Sequence, residues 1–191
     1  INKEKIIKIN KKFTGHTEFY ENLDKANSNM ILYSKKLITV PLTTHIGIKN
    51  IRKHMNKKHI NTKIISLINT LKIDFKISMP KIAITGLNPH AGEKGKISNE
   101  ESKILSPIIQ NIKRIYPNIY GPYSADTIFV KDNRNKFDCI VTMYHDQSLI
   151  PFKLLSFYEG VNFTSGLNFV RTSPVHGTAY EIVGKNIANE K

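Results

Sequence analysis

The sequence predicts an α/β fold built on a mainly parallel sheet with flanking helices. Three observations carry this. Apolar, β-branched runs suited to buried strands recur at residues 37–42, 81–85 and 137–143. Stretches with helical spacing separate the later runs, and strands alternating with helices build parallel sheets. Each run passes straight into a polar cluster: Thr43-Thr44-His45, Gly86-Leu87-Asn88-Pro89-His90 and Tyr144-His145-Asp146-Gln147. In such sheets ligands collect at the carboxyl ends of strands, so a site is expected there.

The elements follow in order. Residues 4–10 place isoleucines at 6, 7 and 9 among lysines, too short a pattern to assign. Residues 18–27 read as a polar helix, and 37–42 as a strand. Residues 61–73 bring Ile64, Ile65, Ile68 and Leu71 onto one helical face, with Asn61 or Thr62 as cap. The strand at 81–85 follows. Ser98 and Glu101 have the spacing of a capping box. The helix they open carries Ile104, Leu105, Ile108, Ile109, Ile112 and Ile115 as one stripe, and Pro107 is expected to kink it. The strand at 137–143 holds Cys139 as a core residue. A helix at 147–156 and a β-rich stretch at 160–172 complete the pattern.

The 191 residues suit one or two domains, and no internal repeat or low-complexity linker divides them. A net charge of +14 invites a nucleic-acid partner. Only four cations are arginines (Arg52, Arg114, Arg134, Arg171), however, and the lysines are dispersed. That is the pattern of a solvated cationic surface, since base and phosphate readers favour arginine forks. No apolar run is long enough to span a membrane. The single cysteine makes no internal disulfide, which favours a cytoplasmic setting. The chain opens on Ile1, as a processed protein or a piece of a longer one would.

Of seven histidines, His54 and His59 sit in a lysine-rich segment and read as surface residues. The other five, His16, His45, His90, His145 and His176, lie in polar turns. His45, His90 and His145 each follow a strand. Three imidazoles meeting at one sheet edge would bind a divalent metal and leave positions open for substrate. Spacing alone does not distinguish them from unrelated loop histidines.

A set of strings arrives in order: Gly15-His16-Thr17-Glu18 after Phe13-Thr14, Thr43-Thr44-His45, Gly86-Leu87-Asn88-Pro89-His90-Ala91-Gly92-Glu93, Ala125-Asp126-Thr127, Tyr144-His145-Asp146-Gln147 and Val170-Arg171-Thr172-Ser173. Together they resemble the 4-hydroxythreonine-4-phosphate dehydrogenase family of vitamin B6 biosynthesis, over roughly residues 9–188. The resemblance implies an isocitrate/isopropylmalate dehydrogenase-like fold of two domains, with the N-terminal part missing here. Residues 10–155 would form a central metal- and substrate-binding region and 156–191 a substrate- and cofactor-contacting one. It implies NAD or NADP as cofactor and one divalent ion (zinc, magnesium or cobalt) on His45, His90 and His145. The site would be completed across a homodimer interface. Substrate contacts would come from His16, Thr17, Lys153, Asn162 and Arg171. Lys153, Asp126 and Asp146 are the candidate acid/base and orienting groups.

The tail from Pro174 to Asn189, through His176-Gly177-Thr178, is similar to the adenine-side loop of isopropylmalate dehydrogenases, which implies cofactor contact for His176 and Gly177. Three departures stand out: Ser148 where the family usually has glycine, Lys94 in a glycine-rich turn, and Val175 for a common aspartate. The resemblance implies that about the first third, and a shorter piece from the C-terminus, are absent, so the 191 residues alone are expected to have little or no activity while the full-length parent is active. Two rivals remain. A basic phosphate- or nucleic-acid-binding module predicts salt-dependent binding indifferent to His90→Ala. A metal-dependent hydrolase or aldolase predicts no nicotinamide dependence.

Overall fold

The computed structural model describes residues 6, 15–177 and 179–188. Most of the isoleucine–lysine stretch 4–10, together with Phe13, Thr14, Thr178 and Asn189, lies outside the described residues. Helix α1 (His16–Asp24) leads into the hairpin of β1 (Asn29–Tyr33) and β2 (Ile38–Pro41). A short helix α2 (Ile51–His54) and a long one, α3 (Lys57–Ile73), precede β3 (Ile82–Thr85). A π-helical turn (Glu101–Leu105) then runs into α4 (Ser106–Ile115), followed by β4 (Ile119–Tyr123). Two single-turn helices, α5 (Ala125–Ile128) and α6 (Lys131–Arg134), lead to β5 (Cys139–Thr142). Helix α7 (His145–Ser156) and the hairpin β6 (Val161–Ser165) and β7 (Arg171–Pro174) end the sequence of major elements.

The strands form one seven-stranded mixed sheet in the order β4-β3-β5-β2-β1-β6-β7. The block β4-β3-β5-β2 is parallel, and β1, β6 and β7 extend it antiparallel. Side chains alternate across this sheet with period two. Ile82, Ile84, Cys139 and Val141 face α3 and α4, joining Ile60, Ile64, Leu67 and Ile109 in one core. Ala83 and Ile140, between them, face the other way and pack with Phe152 of α7. The central strands are apolar on both faces because both faces are covered.

Several expectations need correction. The helix predicted at 61–73 begins at Lys57, where Asn56 caps it by accepting from His59 N at 3.0 Å. Polar lysines in its first turn hid this start. The capping box does not form: Ser98 Oγ accepts from Glu100 N at 3.3 Å, while Glu101 is buried and turned elsewhere. Ile115 leaves the apolar stripe and is 86% exposed at the end of α4. The distortion expected at Pro107 is the π turn just before it, a common answer to a residue without an N–H. Strands β1 and β4 carry weaker signals than β2, β3 and β5. Gly121 and Pro122 interrupt β4, which the sheet tolerates because β4 is an edge.

Candidate active site

The order β3-β5-β2 sets three parallel carboxyl ends side by side. Beyond them lie His90, His145 and His45 respectively. His45 follows β2 in an open turn, and His145 is the first residue of α7, so strand geometry fixes both. Their ring centroids are 5.8 Å apart. They share the wall of an open cleft of about 880 Å³. Across it stand His16 and Thr17 from the start of α1, Asn162 of β6 and Arg171 of β7, with His176 and Gly177 on the following loop. Eight of the sequence-predicted residues therefore meet in one place.

Four do not. His90 is exposed on the loop after β3 and is not part of the cleft wall. Asp126, exposed at the start of α5, has its carboxyl held below the ordinary range, first by the Ser124 hydroxyl at 2.5 Å and more weakly by nearby His90. Asp146 accepts from His145 Nδ1 at 2.7 Å, outside the cleft wall. Lys153 is half-buried farther along α7 and also absent from the wall. Among the described residues no three His, Cys, Asp or Glu side chains gather as a metal cage.

The donor chemistry of the two clustered histidines nevertheless suits a divalent ion. Each imidazole gives its Nδ1–H to a carboxylate: His45 to Glu18 at 3.0 and 3.1 Å, His145 to Asp146. That leaves Nε2 as the basic nitrogen, the arrangement by which metal-binding histidines are usually oriented. Glu18 also accepts a short hydrogen bond from Thr44 Oγ1. Burial alone would push the Glu18 carboxyl up, but the His45 and Thr44 hydrogen bonds outweigh it and hold the pKa at about 2. Gly15 makes the approach feasible, since a Cβ there would stand 2.6 Å from His45 Nδ1.

The anion side of the cleft is equally defined. Arg171 donates from Nη1 to Thr164 Oγ1 at 2.9 Å, and burial draws its pKa down. Among the described residues Asn162 Oδ1 is buried without a hydrogen-bond partner, and its residue lines the cleft. An unpaired buried amide oxygen is costly unless something arrives to satisfy it.

His90 rides on an unusual loop. His90, Ala91, Gly92, Glu93 and Lys94 all have left-handed backbone, with φ between 45° and 75°. Each non-glycine residue there costs free energy that contacts elsewhere must offset. Glu101 supplies them, accepting from Leu87 N and Asn88 N at 2.8 Å each and from the Asn88 amide. The sequence reading missed both Glu18 and Glu101. For Glu18 the available signal is its place within Gly15-His16-Thr17-Glu18, one helical turn after Gly15. His54 and His59 are not surface residues: both are half-buried, their rings are 5.6 Å apart, and His59 Nε2–H donates to Leu42 O at 3.1 Å.

The family model described as "Pyridoxal phosphate biosynthetic protein PdxA" matches residues 1–191. The chain is 45% identical over 191 residues to a 4-hydroxythreonine-4-phosphate dehydrogenase of Sulfurihydrogenibium sp. (strain YO3AOP1), covering 99% of this chain and 58% of that protein. It is 39% identical over 183 residues to a D-threonate 4-phosphate dehydrogenase of Pectobacterium atrosepticum, covering 95% of this chain and 56% of the relative. A crystal structure of 4-hydroxythreonine-4-phosphate dehydrogenase from Klebsiella pneumoniae superposes with a TM-score of 0.81 at 39% identity, over 95% of this chain and 55% of that one. The chain thus spans little more than half the length of the relatives it matches.

Proposed function

The chain belongs to the pyridoxal phosphate biosynthetic protein PdxA family, and on that premise we propose that its protein is an NAD(P)-dependent oxidoreductase of vitamin B6 biosynthesis. The reaction is the oxidation of 4-phosphohydroxy-L-threonine to 2-amino-3-oxo-4-phosphooxybutanoate. Decarboxylation of that β-keto acid gives 3-amino-2-oxopropyl phosphate. The observation that carries this reading is the pair His45 and His145, held 5.8 Å apart and facing the same cleft as Arg171.

In this reading Arg171 binds a phosphate or carboxylate through its planar fork. His16 and Thr17, at the N-terminal end of α1, and Asn162 hold the rest of the anionic substrate. His45 and His145, oriented through Nδ1, are the metal ligands, and the partner subunit's His90 completes the set in a homodimer. A divalent ion held there would supply Lewis acidity for the substrate hydroxyl and for the enolate charge of decarboxylation. His176 and Gly177 would hold the adenine side of a nicotinamide cofactor, which would supply the hydride acceptor. Asp146 orients His145, Asp126 is the second orienting carboxylate, and Lys153 serves as acid/base or anion contact. Residues 10–155 then hold metal and substrate, and 156–191 substrate and cofactor. The protein works in the cytoplasm.

The test follows NAD reduction by the full-length protein, with and without a chelator. 4-Phosphohydroxy-L-threonine is compared with D-threonate 4-phosphate, which has a hydroxyl where the first has an amine. Chelator-sensitive NADH formation with the first compound is expected. Absence of metal-dependent signal from folded protein with either compound overturns the reading.

A further inference from the structure

We propose that Glu18 is a positioning residue for His45, fixing the tautomer and ring orientation that turn Nε2 towards the cleft. The inference deepens the metal reading above and rests on it. Its observation is a three-part clamp. Glu18 lies in the first turn of α1 and reaches His45 Nδ1 with both carboxylate oxygens, at 3.0 and 3.1 Å. Thr44, the residue before His45, donates its hydroxyl to the same carboxylate. Gly15 lets α1 close onto the ring, because a side chain there would collide with both the carboxylate and the imidazole.

The physical consequence follows from the chemistry of imidazole. A neutral ring carries one proton, and a carboxylate at Nδ1 keeps it there, so Nε2 presents its lone pair. Without an acceptor at Nδ1 the proton divides between the two nitrogens, and a ring protonated at Nε2 must shift it before that nitrogen can ligate. The ring also loses the contact that holds its plane. Outer carboxylates of this kind typically alter metal affinity about 10- to 100-fold when removed. The same α1 turn carries His16 and Thr17 into the cleft, so the clamp ties the anion-binding end of the site to its metal end.

The experiment uses full-length protein and its Glu18→Ala, Glu18→Gln and His45→Ala variants, each checked for native circular dichroism. Zinc affinity is measured by competition with a chromogenic chelator, and the His45 tautomer by 15N NMR of the metal-free protein. Glu18→Ala is expected to bind zinc about 10- to 100-fold more weakly and to show mixed tautomers. Glu18→Gln, which keeps an acceptor for Nδ1–H, is expected to fall between it and the parent. If Glu18→Ala keeps the parent's affinity and tautomer while His45→Ala loses zinc, Glu18 is a structural clamp only and the proposal is overturned. If His45→Ala also leaves zinc affinity unchanged, the metal reading itself falls and takes the proposal with it.

Discussion

The Arg171 guanidinium, the proposed anion contact, is already partly withdrawn from water, and burial lowers its pKa for that reason. Its hydrogen bond to Thr164 aims the fork before any anion arrives. Arg171→Ala is expected to raise KM for the phosphorylated substrate by about 10- to 100-fold, since hydrogen bonds to charged groups contribute roughly 1.5–3 kcal/mol. Arg171→Lys recovers only part of this because an ammonium lacks the fork. Steady-state kinetics on the full-length protein separates the two parameters. His59 governs a different property. Burial lowers its pKa, so the unfolded chain binds its proton more readily than the native one. Its contribution to stability is present above the ordinary histidine value of about 6.5 and is lost as pH falls through the lower native value. Urea unfolding between pH 8 and pH 5 is expected to show declining stability. His59→Gln, which keeps a donor for Leu42 O, flattens the slope.

At the scale of elements, the junction of β2, β5 and α7 is sealed by three hydroxyls. Ser148 is fully buried, 2.6 Å from Thr142 Oγ1 and 3.0 Å from Thr39 Oγ1. Ser148 therefore joins helix to sheet just behind His145. Ser148→Ala is expected to cost about 1–3 kcal/mol by leaving buried hydroxyls short of a partner, and Ser148→Gly about 1 kcal/mol more from helix propensity. Thermal unfolding measures both. Strands β2, β3 and β5 were legible because their apolar runs stop abruptly at polar clusters, and that same boundary marked His45 and His145. The left-handed loop was not legible. No periodicity encodes five such residues in a row, and Glu101, whose spacing from Ser98 mimicked a capping box, holds the loop from a distance. Strand β1 was missed because the polar residues before it read as part of a helix end. Glu18 was missed because its role depends on α1 folding back onto the turn after β2, a contact between residues 27 positions apart. Glu101→Ala strips acceptors from two backbone amides at the end of β3, and a loss of about 2–4 kcal/mol in the unfolding free energy is expected.

At the scale of the molecule, sheet order brings three histidine-bearing strand ends together, yet only His45 and His145 enter the cleft. His90 stands outside it, exposed beside Asp126. A loop braced by Glu101 that presents a histidine outwards suits a site shared between copies, which the proposed homodimer supplies. Two inactive variants then complement each other. In a mixed dimer of His45→Ala and His90→Ala, one cleft lacks its own His45 and faces a partner without His90. The other keeps His45 and His145 and receives His90 from its partner. Random exchange puts half the dimers in mixed form with one good cleft each, so about a quarter of the parent's activity is expected to return. A mixture of His45→Ala and His145→Ala recovers none, since both lesions fall in the same cleft and every site carries one of them. Differently tagged subunits, co-purified after refolding together, establish that exchange occurred. Silence from the first mixture despite exchange would place all three histidines in a single chain, and recovery in the second would put His45 and His145 in different subunits; either outcome rules out the proposed sharing.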